Sequence, residues 1–563
     1  MAAPQFADRS VPMYEAAEWT IDIDASAVAG NPFDVDATAR FVGSDGSEFD
    51  APLFYMGETG SGELRFGLRF TGTAPGVEYS FTTSSGIDSL DGATGSLSVE
   101  PADGFGFVTS SGSKFAVRRG AAGELGGFLL NIVQSDPAGS DSPFKHMHLP
   151  DLADDPVART QAYADYAVAN GFSAIYVMLN NHLSDLGAFE GSDVTTPNPD
   201  LLAFDALDQI VATANANGLH VHFWRWGDAN RGWTAENLPG GINGEADRRV
   251  TEYLAKRLGA LPSWSIGYGF DLHEWVTPAE LEIWKTDLKS ALVFPHLISA
   301  RSYDFESPTS AILGYAQGDN ELGESTPRIP DYDELVGLIA ADPQQPHLLE
   351  ERNVLGRWGL DSDGTRLLMW RSAMAGGVGG WYGFFNQDPV FDNDIGYTNP
   401  AALKSHATFW RDRFELDMQP ANELVENNGD GTLAVRSEQA GTIVVFAEET
   451  DRVQLDFSDE ISERSAVAVD TKAAYAELDI GVFPAHDTSW SAPYTSDWAL
   501  YFTGEPGAGC AGDVNGDGTL DSADFFAWVQ AFDEQRPEAD VNRDGDVTGG
   551  DFFAWVDLFQ NGC

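Results

Sequence analysis

Cysteine is nearly absent from this chain, which has Cys510 and Cys563 and no others in 563 residues. Most of its length therefore has neither disulfides nor thiol chemistry. Both cysteines lie in the last tenth and bracket one acidic segment. A bridge closing that segment, which would suit an oxidising compartment, and two free thiols are both open readings. Basic residues are scarce too: 32 Lys and Arg stand against 88 Asp and Glu, a net charge of −56. A field of that sign repels phosphate backbones and anionic lipid surfaces, which argues against a nucleic-acid partner. Long apolar runs are missing as well, with none reaching about 18 residues. The opening MAAPQFADRS lacks the apolar core of a secretory signal, so any export signal is expected to be missing or trimmed.

The length is enough for three or four domains, and 43% hydrophobic residues can fill several cores, which excludes disorder. Residues 1–104 alternate short apolar runs with Gly, Asp and Ser turns (FDVDATARFVG, ELRFGLRFTG, VEYSFTT). They read as an antiparallel β-sandwich. From 105 to 418 apolar strands alternate with helix-length amphipathic stretches, the signature of a β/α domain. Residues 419–504 return to strands (TLAVRS, TIVVFAEE, DWALYFTG) and read as a second sandwich. Residues 505–563 form an acidic tail.

That tail holds the one clear repeat. DVNGDGTLDSADFFAWVQAF and DVNRDGDVTGGDFFAWVDLF align at a shift of 27 residues, Asp513 to Asp540. Each copy sets oxygen side chains at loop positions 1, 3, 5, 9 and 12 with Gly at 6, the spacing that wraps a hard cation in oxygens. The first copy supplies Asp513, Asn515, Asp517, Asp521 and Asp524, with the Thr519 carbonyl. The second supplies Asp540, Asn542, Asp544, Thr548 and Asp551, with Asp546 in the carbonyl position. Two calcium ions are expected, and without metal the carboxylates would repel one another, so calcium should fold the module. The tail resembles a type I dockerin, in which each EF-hand-like calcium loop leads into a helix. The resemblance implies a cohesin-like or cell-surface partner and an extracellular setting. Positions 10 and 11, which dockerins use to select cohesins, are Ser522 and Ala523 in one copy and Gly549 and Gly550 in the other.

The β/α region contains eight strand-like segments: GFLLNIVQ, GFSAIYVMLNN, GLHVHFWRWGD, SWSIGYGFDLHEW, PHLISARSYDF, SAILGYAQGDN, PHLLEERNVLG and GGVGGWYGFFN. Eight such units in about 310 residues fit a (β/α)8 TIM barrel, whose chemistry lies at the carboxyl ends of the strands. Hydrolysis of a glycosidic bond needs two carboxyls facing each other across that bond. The fourth segment offers Asp271 and Glu274; the seventh offers Glu350 and Glu351. Adjacent strand residues face opposite ways, which favours Glu350 as nucleophile and leaves Glu351 to pair with Arg352. Surface carboxyls on an acidic protein are the plain alternative. This placement resembles the superfamily of retaining barrel glycosidases, with the acid/base after strand 4 and the nucleophile on strand 7. It also resembles apiosidase-like hydrolases, which carry Asp where others carry Glu; that resemblance implies Asp271 as acid/base, with Glu274 its rival.

Aromatic and polar residues surround these ends. Trp226, Trp275 and Trp381 could stack on the C–H faces of a sugar, and core packing is the competing role of each. His220 and His222, spaced as on one strand face, fit hydrogen bonding to substrate or a carboxylate better than zinc, because no third ligand stands nearby, and no cofactor is expected in the barrel. Arg301 and Tyr303 are further substrate candidates, the arginine suited to an anionic sugar group. The segments YEAAEWTIDI and GNPFDVDATARF resemble the immunoglobulin-like domain of unknown function that precedes such barrels. MQPANELVE through SAPYTSDWALYFTG resembles the collagen-binding-type sandwich that follows them. The reading is a secreted, calcium-stabilised glycoside hydrolase acting on a plant or algal polysaccharide by the retaining route. The alternative is a non-catalytic carbohydrate-binding or extracellular assembly protein.

Overall fold

The computed structural model describes residues 5–120, 123–134, 148–179, 182–184, 197–227, 234–269, 272–302, 316–319, 331–355, 361–384, 397–426, 431–458, 463–484, 486, 488–503, 514, 520, 522–533, 536, 539, 541 and 547–561. At 273, 301–302, 316–319, 350–355, 384, 557 and 560–561 it describes the backbone alone. The chain divides into two compact units, residues 1–373 with 377–407, and 374–376 with 408–563.

The first unit opens with seven strands in one sheet, in the order Arg9–Pro12, Thr94–Glu100, Glu78–Ser85, Ala37–Gly43, Glu48–Glu58, Glu63–Thr71, Ala16–Asp24. The long strand Glu48–Glu58 pairs through its first half with Ala37–Gly43 and through its second half with Glu63–Thr71, with a register shift between Tyr55 and Gly57. The sheet thereby folds over on itself. Trp19, on one outer strand, meets Phe81 edge-on at 4.9 Å, and Phe41 stacks on Phe70 at 4.0 Å. Alternating burial along Ala37–Gly43 and Glu78–Ser85 puts those aromatics inside, as a period of two requires.

The barrel follows. Its strands are β1 (Asn131–Gln134), β2 (Ala174–Met178), β3 (His220–Trp226), β4 (Trp264–Gly269), β5 (Leu297–Ser299 continuing at Arg301–Ser302), β6 (Ala316–Asp319), β7 (His347–Leu355) and β8 (Gly379–Phe384). All pairs are parallel, β8 pairs with β1, and β5 pairs through its first part with β4 and through its second with β6, so the ring closes. All eight segments singled out in the sequence carry a strand. Between them run α1 (Pro156–Ala169), α2 (Leu201–Ala216), α3 (Glu245–Leu258), α4 (Pro278–Ala291), α5 (Tyr332–Ala341), α6 (Ser362–Met374) and α7 (Pro400–Trp410). Local sequence sets several starts: Thr277 and Glu280 form a capping box at α4, as do Asp331 and Glu334 at α5. The interior is filled by Ile132, Tyr176, Trp224, Leu297, Leu348 and Trp381 among others. A three-stranded sheet, Phe105–Ser111, Lys114–Arg119 and Glu124–Gly127, closes the amino ends. There Phe115 lies against Gly379 at the start of β8, and Phe107 against His296 just before β5. The carboxyl ends are the end left for chemistry.

Buried ion pairs join the amino-terminal sheet to the barrel helices. Arg69, only 7% exposed, donates to Glu18 of its own sheet, to both oxygens of Asp208 on α2 at 2.8 and 2.9 Å, and to the Arg257 carbonyl. Arg257 on α3 also donates to Asp205 and Asp208. Burial pushes the Asp208 carboxyl up, but the charges and hydrogen bonds of Arg69 and then Arg257 outweigh it and hold the group below the usual carboxylate range. Arg69→Met would leave Asp208 with Arg257 and take the arginine from the partly exposed Glu18, so its unfolding free energy in urea is expected to fall by about 1.5–3 kcal/mol.

In the second unit six strands order as Gln419–Pro420, Thr432–Ser437, Thr442–Leu455, Thr488–Thr503, Arg464–Asp470, Leu478–Phe483. Its aromatic core includes Trp498 edge-on to Trp490. Helices α8 (Ser522–Asp533) and α9 (Gly549–Asn561) follow, packing Trp528 and Trp555 around Ala531, Ala539 and Val541. Among the described residues no helix is long and apolar enough to cross a membrane.

Candidate active site and calcium module

Strand alternation sorts β3 as expected. His220, His222 and Trp224 face the barrel interior, while Arg225 turns to the helical layer, where it meets Asp247 of α3 at 3.8 Å. His220 Nε2 and His222 Nδ1 both lie within hydrogen-bonding distance of the Ser265 hydroxyl of β4, at 2.7 and 2.8 Å. One hydroxyl hydrogen serves one imidazole while its oxygen accepts from the other, which fixes complementary tautomers. Burial lowers His220 well below its ordinary value and His222 to about 3.

Sugar contact is therefore corrected for His220, His222 and Trp226. These side chains have at most 1% of their surface exposed and so face no solvent-borne ligand. Trp381 packs on Tyr176 at 4.5 Å and against Trp224 at 5.2 Å. Trp275 stacks on Tyr268 at 5.4 Å. The two indoles are buried, so core packing accounts for them as well. Trp226 carries the Arg225 guanidinium 3.8 Å above its ring. Ser265, Tyr268 and the Arg225–Asp247 pair were not singled out from sequence. Only the inward parity shared by positions 265, 267 and 269 could have flagged the serine.

Burial of neutral imidazoles carries a pH consequence. His406 on α7 donates to the Met369 carbonyl from Nε2, and burial holds it near 3. An unfolded histidine titrates near about 6.5. Below that pH the unfolded chain takes up protons that His220, His222 and His406 refuse in the folded state, so stability falls with pH. The expected contribution to the slope is roughly 1.4 kcal/mol per pH unit for each. Urea midpoints between about pH 6.5 and 4 check this, and His222→Gln should lower the slope by about that amount.

Of the carboxylates, Glu274 lies in a 3₁₀ turn, Leu272–Glu274, directly after β4 and is exposed. Leu272, Trp275 and Val276 are buried around it, and the Trp275 and Val276 amides return to the Leu272 carbonyl. The turn is thus anchored on both sides of its one outward carboxylate. Glu350 lies in β7 with its backbone in register with Asp319 of β6. Between Leu349 and Asn353 β7 carries two more residues than β8 across the same stretch, a bulge. Asp271 and Tyr303 lie outside the described residues, as do the side chains of Glu350, Glu351 and Arg301.

In the carboxyl-terminal module the two residues at loop position 12 are described. Asp524 and Asp551 are both fully buried, in the first turns of α8 and α9. Asp551 accepts from the Thr548 amide at 2.7 Å, and the Thr548 hydroxyl accepts from the Gly550 amide. A buried carboxylate at the positive end of a helix, with no basic residue in that first turn, fits a cation ligand. Asp513, Asn515, Asp517, Thr519, Asp521, Asp540, Asn542, Asp544, Asp546, Cys510 and Cys563 lie outside the described residues.

Comparisons with known proteins place two segments in families. Residues 10–86 match a domain of unknown function, DUF5060, and residues 511–554 match the dockerin type I domain. No curated relative matches the chain. Among solved structures, the chain is similar to a protein from Bacteroides vulgatus ATCC 8482 assigned as a glycoside hydrolase, with TM-score 0.63 and 15% identity, over 88% of this chain and 99% of that one. It is also similar to a glycoside hydrolase family 5 structure from the same organism, with TM-score 0.52 and 14% identity, over 71% and 93%. A third structure, a glycoside hydrolase, gives TM-score 0.51 at 17% identity over 72% and 97%. The structural neighbours are thus glycoside hydrolases sharing a barrel-like fold, and a dockerin domain is present. At these identities the likeness is one of fold.

Proposed function

We infer that the protein is an extracellular or cell-surface glycoside hydrolase that cleaves a plant or algal polysaccharide by the retaining route. The apiosidase-like barrel would be flanked by two sandwich domains and tethered through its dockerin. The observation that carries this is the closed parallel ring whose fourth and seventh strands bear the acidic segments, in a fold shared with glycoside hydrolases. Leu348 belongs to the interior cluster, and from Leu349 to Asn353 the bulge interrupts the alternation, so the preference for Glu350 over Glu351 rests on the strand-7 placement alone. Ser265 on β4 faces inward, and the fourth segment carries Asp271 and Glu274 beyond the end of that strand.

In this reading Asp271 or Glu274 donates a proton to the glycosidic oxygen while Glu350 attacks the anomeric carbon, breaking the bond to the leaving sugar. Water, deprotonated by the same acid/base, then displaces Glu350 and restores both carboxyls. The dockerin would take two calcium ions and dock on a cohesin-like surface. Reducing-end release from a panel of plant and algal polysaccharides, run beside binding to the same panel, tests the activity. Binding without release would assign the alternative, a non-catalytic carbohydrate-binding protein. Retention requires the carboxyls about 5–5.5 Å apart, whereas about 6.5–9.5 Å would mean inversion.

A further inference from the structure

We propose that the six-stranded sheet of the second unit carries a neutral-saccharide site on its solvent side, centred on Arg413. The cleft there has a volume of about 410 Å³, within the range of small-molecule sites. Its floor is two cross-strand rows on one face of three neighbouring strands, Val482 beside Ser465 and Thr503, and Asp479 beside Val467 and Tyr501. The opposite face of the same strands holds Ala468, Leu500 and Phe502 of the core, so the floor points outward. Val482 is 61% exposed. Ser465 and Asp479 are exposed too, and Val467, Tyr501 and Thr503 are half-buried. Gly481 bulges out of the edge strand at φ +86°, and among the described residues nothing lies within 4 Å of where its side chain would begin. That side of the floor is open.

The wall is an immobilised ion pair. The Arg413 guanidinium lies 4.8 Å from the ring centre of Phe409 and 4.5 Å from that of Tyr501. Its Nη1 donates to the Tyr475 hydroxyl at 2.9 Å and to the Phe409 carbonyl, while its Nη2 and the Tyr475 hydroxyl both donate to Glu477 Oε1. The bond from Tyr475, then that from Arg413, holds the Glu477 carboxyl below its usual range. Arg413 still has its Nε–H and one Nη2–H without a partner among the described residues, and Glu477 Oε2 and Asp479 Oδ2 are likewise unspent. Arg413 and Glu477 line the cleft with 16% and 39% of their side chains exposed. The solvent side of an antiparallel sheet is ordinarily polar, yet this one sets Val482, Val467 and Tyr501 beside that fixed array of donors and acceptors. A ligand meeting groups already held in place loses less ordering entropy.

The mixture selects the ligand's chemistry. An anion would gain the spare Arg413 hydrogens, but Glu477 already balances that charge and Asp479 adds a second carboxylate. A cation would meet the guanidinium. A plain apolar molecule would strip water from all three groups and replace none of it. A neutral saccharide meets each demand: its hydroxyl oxygens accept from Arg413, its hydroxyl hydrogens go to Glu477 and Asp479, and a C–H face lies on Val482 and Val467. The site uses none of the residues offered for catalysis, so it holds saccharide whether or not the barrel cuts it.

The test is amide exchange on the full chain carrying Glu350→Gln, which keeps the probes whole. The probes are neutral cello-, xylo-, manno- and galacto-oligosaccharides, with galacturonate as an anionic control and spermidine as a cationic one. At least one neutral probe is expected to slow exchange in the edge strand, Leu478–Phe483. Val482→Asp, at an exposed position, removes apolar contact and adds a carboxylate; it should raise the probe concentration needed for that protection at least about tenfold. Ser465→Trp, which fills the floor from another exposed position, should abolish the protection, and both variants should keep the parent's urea midpoint. Protection of the edge strand by galacturonate or spermidine as strong as by any neutral probe, protection that survives Ser465→Trp, or none there with any neutral probe would each overturn the proposal.

Discussion

Glu350→Gln is expected to reduce reducing-end release by more than about 10³-fold while leaving the fold and calcium response intact. The substitution keeps the size of the side chain and removes the negative charge that must bond to the anomeric carbon, so a loss of this size separates a nucleophile from a surface carboxylate. Glu351→Gln is the matched control, one residue along the same bulged strand, and is expected to cost less than about tenfold. Single substitutions at Asp271 and Glu274 would resolve the remaining ambiguity. The true acid/base variant should lose most activity on a substrate with a poor leaving group and keep it on an activated aryl glycoside, because such a leaving group departs without a proton. Wild-type turnover in Glu350→Gln would remove that residue from the mechanism.

Removing calcium is expected to unfold the carboxyl-terminal helices and leave the barrel standing. The core of α8 and α9 is small, Trp528, Ala531, Ala539, Val541 and Trp555, and cannot by itself offset the burial of two ionised carboxylates, Asp524 and Asp551, without a cation beside them. With EGTA, far-ultraviolet ellipticity should fall by the contribution of these two helices, and proteolysis should cut within 505–563 while residues 1–503 stay whole. Asp524→Ala and Asp551→Ala should each weaken calcium binding to one loop at least tenfold. A module that keeps its helices and its protease resistance in EGTA would contradict the assignment of calcium as its fold determinant.

The architecture was largely legible because its signals are local. Each barrel strand announces itself as a short apolar run bounded by Gly, Pro or Asn, and the tail's 27-residue repeat with fixed oxygen spacing is hard to produce without a metal. The site was legible only in part. The indoles and imidazoles of HVHFWRWGD look alike whether they line a cleft or fill a core. What separates the roles is how far up the ring each lies and what packs on it, as with Ser265 meeting both histidines. The choice between Glu350 and Glu351 rested on strict alternation, and the bulge in β7 suspends that rule between Leu349 and Asn353.

By itself the sequence determined the run of strands and helices, the acidic charge balance, and the repeated oxygen spacing of the tail, since each is read from composition or from spacing within a few residues. The tertiary structure alone decided that His220, His222 and Trp226 belong to packing. It also joined the first sheet to the barrel through Arg69 and Asp208, 139 residues apart. The physical reason is range: periodicity and loop spacing act along the chain, whereas burial and charge pairing depend on which distant segments the closed ring brings into contact.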